Sequence, residues 1–375
     1  MNRRAFLGGL GTLGAVGLAG CTGSLPGPSA LAIDASREIL DGAGRSVPLP
    51  ETVERVIAIG PGALRQIAYF EAIDRVVGVE RGEQADFRTL PYNAANPELQ
   101  DLPIIGPSGP DAAGDAESIL AVEPDVVFLS AIGGTGAADR IQAQTGVPTV
   151  VLDLPIPLDS GGRERLYDTW RLVGEVLHEP TRAESIIETV SDHVAAIHEQ
   201  APERPSTTAY AGGVSYKGAQ GLTTTRVPYP PFQFSGAKNV AESVSTDRGS
   251  VDIDPERLLQ WDPDAIFLSA QNTGLIRDDL SRHPALRSLS ALTSGHTFAV
   301  PPVSHYHENV GTMLVNAYYV GATLFPDRFG AVDLQSIAAS VYGSLLGENP
   351  FPEIRQQLSA YERIDLTQRG TDTQS

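Results

Sequence analysis

Residues 180–201 read PTRAESIIETVSDHVAAIHEQA. Ile186, Val190, Val194 and Ile197 recur at four, four and three residues, which puts them on one face of an α-helix. Thr181 with Glu184 three residues later predicts a capping-box start after Pro180, and Pro202 predicts the stop. At about 1.5 Å per residue the helix runs about 28 Å, the width of a small domain. On either side of it the chain repeats itself. SILAVEPDVVFLSA (118–131) lies upstream and RLLQWDPDAIFLSA (257–270) downstream, and seven of the fourteen positions are identical without gaps. A glycine-led apolar run follows each block, GVPTVVLD (146–153) and GHTFAV (295–300). The pattern predicts one lobe, a rigid strut and a second lobe of similar design, with a ligand held between them.

The first residues are an address rather than fold. Arg3-Arg4-Ala5-Phe6-Leu7 opens a short apolar, Gly-rich run that ends Leu18-Ala19-Gly20-Cys21, too short to span a membrane. The arginine pair resembles a twin-arginine export signal, and Leu-Ala-Gly-Cys resembles a lipobox, with Cys21 lipidated after cleavage. The alternative is an ordinary cleaved signal with an incidental cysteine. Cys21 is the only cysteine, which excludes a disulfide framework, a cysteine zinc site and a thiol nucleophile. Removing residues 1–20 leaves 25 basic against 46 acidic residues, a net charge of −21, with lysine only at 217 and 238. So acidic a surface argues against nucleic acid and anionic membrane as partners and suits a chain kept soluble in high salt. The expected location is outside the cytoplasm, with the membrane touched only through the lipid on Cys21.

The expected organisation is a signal at 1–20, a flexible Pro/Gly/Ser-rich linker at 21–36, and an N-terminal α/β lobe at 37–160. Connecting helices at 161–201, a C-terminal α/β lobe at 202–365 and a disordered tail at 366–375 follow. Residues 38–50 carry the turn signals of a β-hairpin. Short apolar runs near 56–60, 75–79, 126–129 and 148–152 read as parallel strands, and 81–101 reads as irregular. Helices are expected at 63–70, 163–178, 308–325 and 333–346, with a long loop at 212–235. In open parallel sheets the crevice lies beyond the carboxyl ends of the strands. Those ends are Gly60–Gly62, Arg81, Ser130–Gly134 and Asp153 in one lobe, and 212–217, Ser269–Asn272 and Pro301–His307 in the other.

Four segments carry a resemblance over about 40–347: DGAGRSVPLPETVERVIAIG (41–60), EPDVVFLS (123–130), YAGGVSYKGAQGLTTT (210–225) with its continuation to Ala241, and PPVSHYHENVGTMLVNAYYVG (301–321). They are similar to the substrate-binding lipoproteins of iron-complex ABC importers, the siderophore and cobalamin binders, and the last two to an iron-transport subgroup. The resemblance implies a helical-backbone periplasmic-binding-protein fold: two parallel-sheet α/β lobes joined by one long helix, with a small closing motion. It also implies a monomer without cofactor or catalysis, which captures an iron(III) chelate and docks on an ABC permease and its ATPase. In the family an acidic residue on each lobe's rim docks to the permease; Asp139 occupies the matching position in the first lobe, where the family more often has Glu, and Glu256, with Asp254 close by, is the candidate in the second.

All seven histidines lie at 178 or later, so the first lobe has none and a bare metal site shared between the lobes cannot be built. Candidate contacts in the first lobe are Pro61, Gly62, Arg65, Arg81, Ser130 and Ala131, with Tyr92 beside them. Arginine offers five donors and a permanent charge to carboxylate or catecholate oxygens. In the second lobe they are Tyr216, Lys217, Tyr229, Phe232, Asn272, His305, Tyr306 and His307. Tyr229 and Phe232 could stack on a flat chelate or pack their own loop. On an extended segment His305 and His307 share a face with Tyr306 opposite, and they serve as metal contacts, as hydrogen bonds to the chelate or as structural residues. Other cargoes are a corrinoid, haem or an oxyanion such as molybdate; a molybdate site would be compact and rich in backbone N–H and hydroxyl donors. A reading of another class, a tethered metal-dependent hydrolase built on His305, His307 and Glu308, lacks a third ligand with a separate base. A purely structural lipoprotein gives no reason for a duplicated cleft.

Overall fold

A computed structural model describes residues 36–85, 89–130, 134–214, 220–244 and 250–366. The hairpin is Arg37–Leu40 (β1) against Ser46–Leu49 (β2). The first lobe's sheet holds Val56–Ile59 (β3), Val76–Gly78 (β4), Val126–Ser130 (β5) and Thr149–Leu152 (β6), all parallel in the order β4-β3-β5-β6. The second lobe contributes Thr208–Gly212 (β7), Thr224–Thr225 (β8), Lys238–Asn239 (β9), Val251–Asp252 (β10), Ala265–Ser269 (β11), Thr297–Val300 (β12) and Glu362–Arg363 (β13). Its sheet runs β9-β7-β11-β12 in parallel, with β13 added antiparallel at the edge, and β8 pairs with β10 apart from it. Strands β3, β5, β6, β11 and β12 are buried at every residue, as parallel strands covered on both faces must be.

The repeat in sequence is a repeat in structure. β3, β4, β5 and β6 hold the same relative places as β7, β9, β11 and β12. In each block a short helix, Ala116–Ala121 or Pro255–Trp261, leads into the central strand. Glu123 and Asp262, each followed by proline, turn with φ of 43° and 37° and end the helix. The aspartate after that proline then ties down the neighbouring strand. Asp125 Oδ2 accepts from the backbone N–H groups of Glu54 and Arg55 at 2.9 Å. Asp264 Oδ2 accepts from Thr208 N and Oγ1 at 2.7 Å.

The strut is the helix Pro180–Gln200, and Ile186, Val190, Val194 and Ile197 are all buried on it. It packs against the helix Ser160–Leu177 on one side and against Pro230–Ser235, Val310–Leu324 and Leu334–Leu346 on the other. The capping box does not form. Proline fits the first helical position because its missing N–H is not needed there, so the helix starts at Pro180 and Thr181 lies inside the first turn. Glu184 accepts instead from Arg171 Nε at 2.9 Å. At the far end Arg328 donates to the carbonyls of Gln200 and Ala201 at 3.0 Å, a cation on the negative end of the helix.

The described residues of 81–101 are not irregular. They fold as helices Arg81–Ala85 and Pro91–Ala95 and a 3₁₀ turn at Pro97–Asp101, each too short to show a period. Tertiary bonds hold them: Gln84 Nε2 donates to the carbonyls of Gln100 and Leu102 at 3.0 Å. The loop at 212–235 likewise contains β8 and the helix Pro230–Ser235. Among the described residues no helix is long and apolar enough to cross a membrane. The export signal, Cys21 and the tail from 367 lie outside the described residues. Ile197→Ala is expected to lower stability by about 2–5 kcal/mol, read as a denaturant midpoint at fixed salt. Glu188→Ala, on the strut's exposed face, should stay within about 0.5 kcal/mol.

Candidate ligand cleft

The carboxyl ends of the two sheets face each other, and lobe one presents its backbone there. Gly60-Pro61-Gly62 bends sharply after β3, with φ of 88° and 83° at the two glycines. A Cβ on Gly62 would stand 3.0 Å from Cβ of His307, so glycine lets this turn touch the opposite lobe.

The residues after β12 make that contact. Residues 305–307 are not extended: Tyr306 and His307 have φ of 47° and 77°, and His305 N donates to His307 O at 3.2 Å. The common face expected for His305 and His307 therefore does not exist, because a tight turn sends the three side chains apart. Tyr306 reaches into lobe one, where its hydroxyl donates to Glu80 Oε2 at 2.7 Å and accepts from Gly109 N at 3.1 Å. His305 Nδ1 lies 3.3 Å from Gln271 Nε2, which also donates to Thr89 Oγ1 of lobe one at 3.3 Å. His307 is buried, and its ring bonds the backbone of Leu154 in lobe one. Burial, then the charges of Arg65 and Arg226, push its pKa down to about 3, so the ring is neutral across the physiological range.

Arg65 is 1 % exposed and grips protein, not cargo. Its guanidinium donates to the carbonyls of Glu308 at 2.7 Å and of His305 and Tyr306 at 3.0 Å, and it lies 4.9 Å above the Tyr92 ring. Tyr92 is itself buried, with its hydroxyl donating to Glu83 Oε2 at 2.6 Å. Tyr229 and Phe232 leave the candidate set for a similar reason. Both are 2 % exposed, meet edge to face at 4.9 Å, and Phe232 continues onto Phe267, so loop packing has claimed the rings a flat chelate would need.

The remaining candidates divide by position. Arg81 is exposed beside the cleft. Ser130 is buried at the end of β5 with no partner for its hydroxyl. Asn272 Nδ2 donates to Gly213 O at 2.7 Å, tying the ends of β11 and β7 together. Ala131, Tyr216 and Lys217 lie outside the described residues. Asp139 and Glu256 both occupy first turns of helices at the strand-carboxyl side of their lobes, and Asp139 is bridged to Arg45 at 2.7 Å. Among the described residues no three His, Cys, Asp or Glu side chains come together to hold a metal ion. His307 is turned to Leu154 and Glu308 is paired with Arg226 at 2.7 Å, so the hydrolase set does not converge.

Sequence reasoning missed Glu80, Glu83 and Arg226, and considered Glu308 only in the hydrolase set. The one signal for Glu80 was an acid placed directly after the apolar run of β4. For Arg226 nothing local distinguishes a buried arginine from a surface one in an acidic chain. Arg65→Ala is expected to cost about 3 kcal/mol, because it strips a charged donor from one buried and two part-buried carbonyls. Arg65→Lys should recover only part, since one compact ammonium cannot reproduce the planar fork; urea unfolding of both variants checks this.

A family model described as periplasmic binding protein matches residues 91–303. The molybdate-binding protein MolA of Haemophilus influenzae is 22 % identical over 339 residues, covering 82 % of this chain and 90 % of its own length. In structure, the chain is similar to a periplasmic solute binding protein of Veillonella parvula DSM 2008, with a TM-score of 0.70, 18 % identity, and 87 % and 98 % of the two chains covered. MolA bound to molybdate gives a TM-score of 0.67 at 18 % identity over 84 % and 98 % of the chains. CeuE of Helicobacter pylori with Ni(II) bound gives 0.62 at 16 % identity over 86 % and 99 %. The structural likenesses speak for the fold. With the family match across more than half its length, the chain belongs to the periplasmic binding protein family, as an extracytoplasmic substrate-binding protein of an ABC transporter.

Proposed function

We propose that the protein captures a compact metal oxyanion of the molybdate type between its lobes and delivers it to an ABC permease. The observation that carries this reading is the narrowness of the junction. Thr89 and Gln271, Glu80 and Tyr306, and Leu154 and His307 meet directly across it. The aromatic rings that would have favoured a flat chelate are in the core. The likeness to MolA, whose name records molybdate binding, supports the same reading. In this scheme Arg81 and Lys217 supply one cation from each lobe, and the loops at Pro61–Gly62, Ser130–Ala131 and Tyr216 supply N–H and hydroxyl donors, as befits an anion. Cys21 tethers the monomer to the outer face of the membrane, and Asp139 and Glu256 meet basic residues of the permease.

A second reading, an iron(III) chelate, rests on the likeness of residues 210–225 and 301–321 to the iron-transport subgroup. Thermal unfolding at fixed salt with molybdate, tungstate, sulfate and a ferric hydroxamate separates the two. Molybdate at about 100 times its Kd should add about 2.7 kcal/mol of stability. Lys217→Ala and Arg81→Ala should each weaken its binding about tenfold, about 1.4 kcal/mol. Stabilisation by the ferric chelate alone would move the assignment to the second reading. Asp139→Arg with Glu256→Arg should leave binding intact and abolish uptake in cells.

A further inference from the structure

Glu80 follows β4 in lobe one, and the lid over its carboxyl comes from lobe two. Its Oε2 accepts from Gly60 N at 3.0 Å and from the Tyr306 hydroxyl at 2.7 Å, while its Oε1 is buried with no partner. A carboxylate sealed with one oxygen facing no donor bears the full cost of desolvating its charge, which the neutral carboxyl avoids. The groups packed around it do not supply a compensating cation. Glu83, on the next helix, is a like charge, itself bonded by Tyr92 and Asn93. Arg65 is engaged by three carbonyls of lobe two, and Arg226 is met by Glu308. His307 is neutral, and Arg81 beside Glu80 is exposed. Among the described residues no cation hydrogen-bonds Glu80.

We infer that shutting the cleft traps a proton on Glu80: the closed clamp carries a neutral carboxyl beneath Tyr306, and opening gives that carboxyl to water, where it ionises. The bonds balance. The O–H bond on Glu80 breaks as the lobes part, and water takes the proton. Burial first, and then the charge of Glu83, push the pKa of the covered group up to about 8 from an ordinary value of 4.5. The covered form therefore binds more protons than the open form between those two values. Closure is fully supported below pH 4.5, weakens as the pH rises, and levels off above about pH 8. Any cargo that shuts the clamp takes up a proton at neutral pH, and alkaline medium favours release. The inference goes beyond the cargo assignment and holds whichever cargo is carried.

The test measures lobe separation directly, with no ligand added. Nitroxide labels on Asp139→Cys and Glu256→Cys, in the mature chain with Cys21→Ser, report the distance between the two rims by pulsed electron resonance. The closed-to-open ratio should fall about tenfold per unit between about pH 5.5 and 7.5, as release of one proton requires, and flatten above pH 8. Glu80→Gln, which mimics the neutral acid, should remove the slope and stay closed at pH 9. Tyr306→Phe keeps the lid but loses its bond, so it should close less at every pH and keep the slope. A ratio independent of pH in the unmodified chain, or an unchanged slope in Glu80→Gln, overturns the inference. Should Glu80→Gln fail to fold, the unmodified chain and Tyr306→Phe still decide it, because a flat ratio in both is incompatible with a trapped proton.

Discussion

The junction between the lobes depends on one buried guanidinium. The turn after β12 bends through two residues with positive φ, and in doing so brings the carbonyls of His305, Tyr306 and Glu308 to face the first lobe. Buried carbonyls need partners, and a planar group with five N–H donors is suited to supply three at once. Arg65 does so from the other lobe. The glycine at 62 belongs to the same solution, since any side chain there would hold the turn and the helix behind it away from His307. Cation, carbonyls and glycine come from segments some 240 residues apart, and each makes sense only with the others.

That junction explains why the two histidines do not share a face. The backbone bend that brings three carbonyls to Arg65 also turns Tyr306 into lobe one and buries His307 against Leu154. With the guanidinium nearby and little water, protonating His307 is unfavourable, so the ring acts as a neutral wedge. The same shortage of water raises the affinity of Glu80 for its proton. Two titratable groups in one dry layer are thus both kept uncharged, one by losing a proton and one by keeping it.

The duplication sets the rest of the geometry. Each half ties its central strands with the same aspartate after a proline, and each places its loops at the carboxyl edge of its sheet. The strut then joins the two halves along its length. Its apolar face is shared between the helix at 160–177 and the helices at 230–235, 310–324 and 334–346, so it is structural to both lobes. Arg182, donating to the carbonyls of Tyr69 at 2.8 Å and Leu345 at 3.2 Å, stitches its first turn to the helix at 63–69 and to the helix at 334–346. A hinge anchored in this way permits small rotations and resists large ones.

The amino-acid sequence by itself determined what depends on local period and on internal likeness. Ile186 to Ile197 marked the strut, the paired EPD and DPD blocks marked two halves, and the apolar runs marked the buried strands. Those signals survive because burial selects residue type at regular spacing wherever the fold is regular. Only the tertiary structure decided the fate of Arg65, Tyr229, Phe232, His305 and His307, and only it revealed Glu80. Whether an arginine meets cargo or carbonyls, and whether an aromatic ring meets solvent or Phe267, turns on residues far away in the chain. A tight bend with positive φ at Tyr306 and His307 leaves no mark in their residue types, and a carboxyl's charge depends on which lobe happens to cover it.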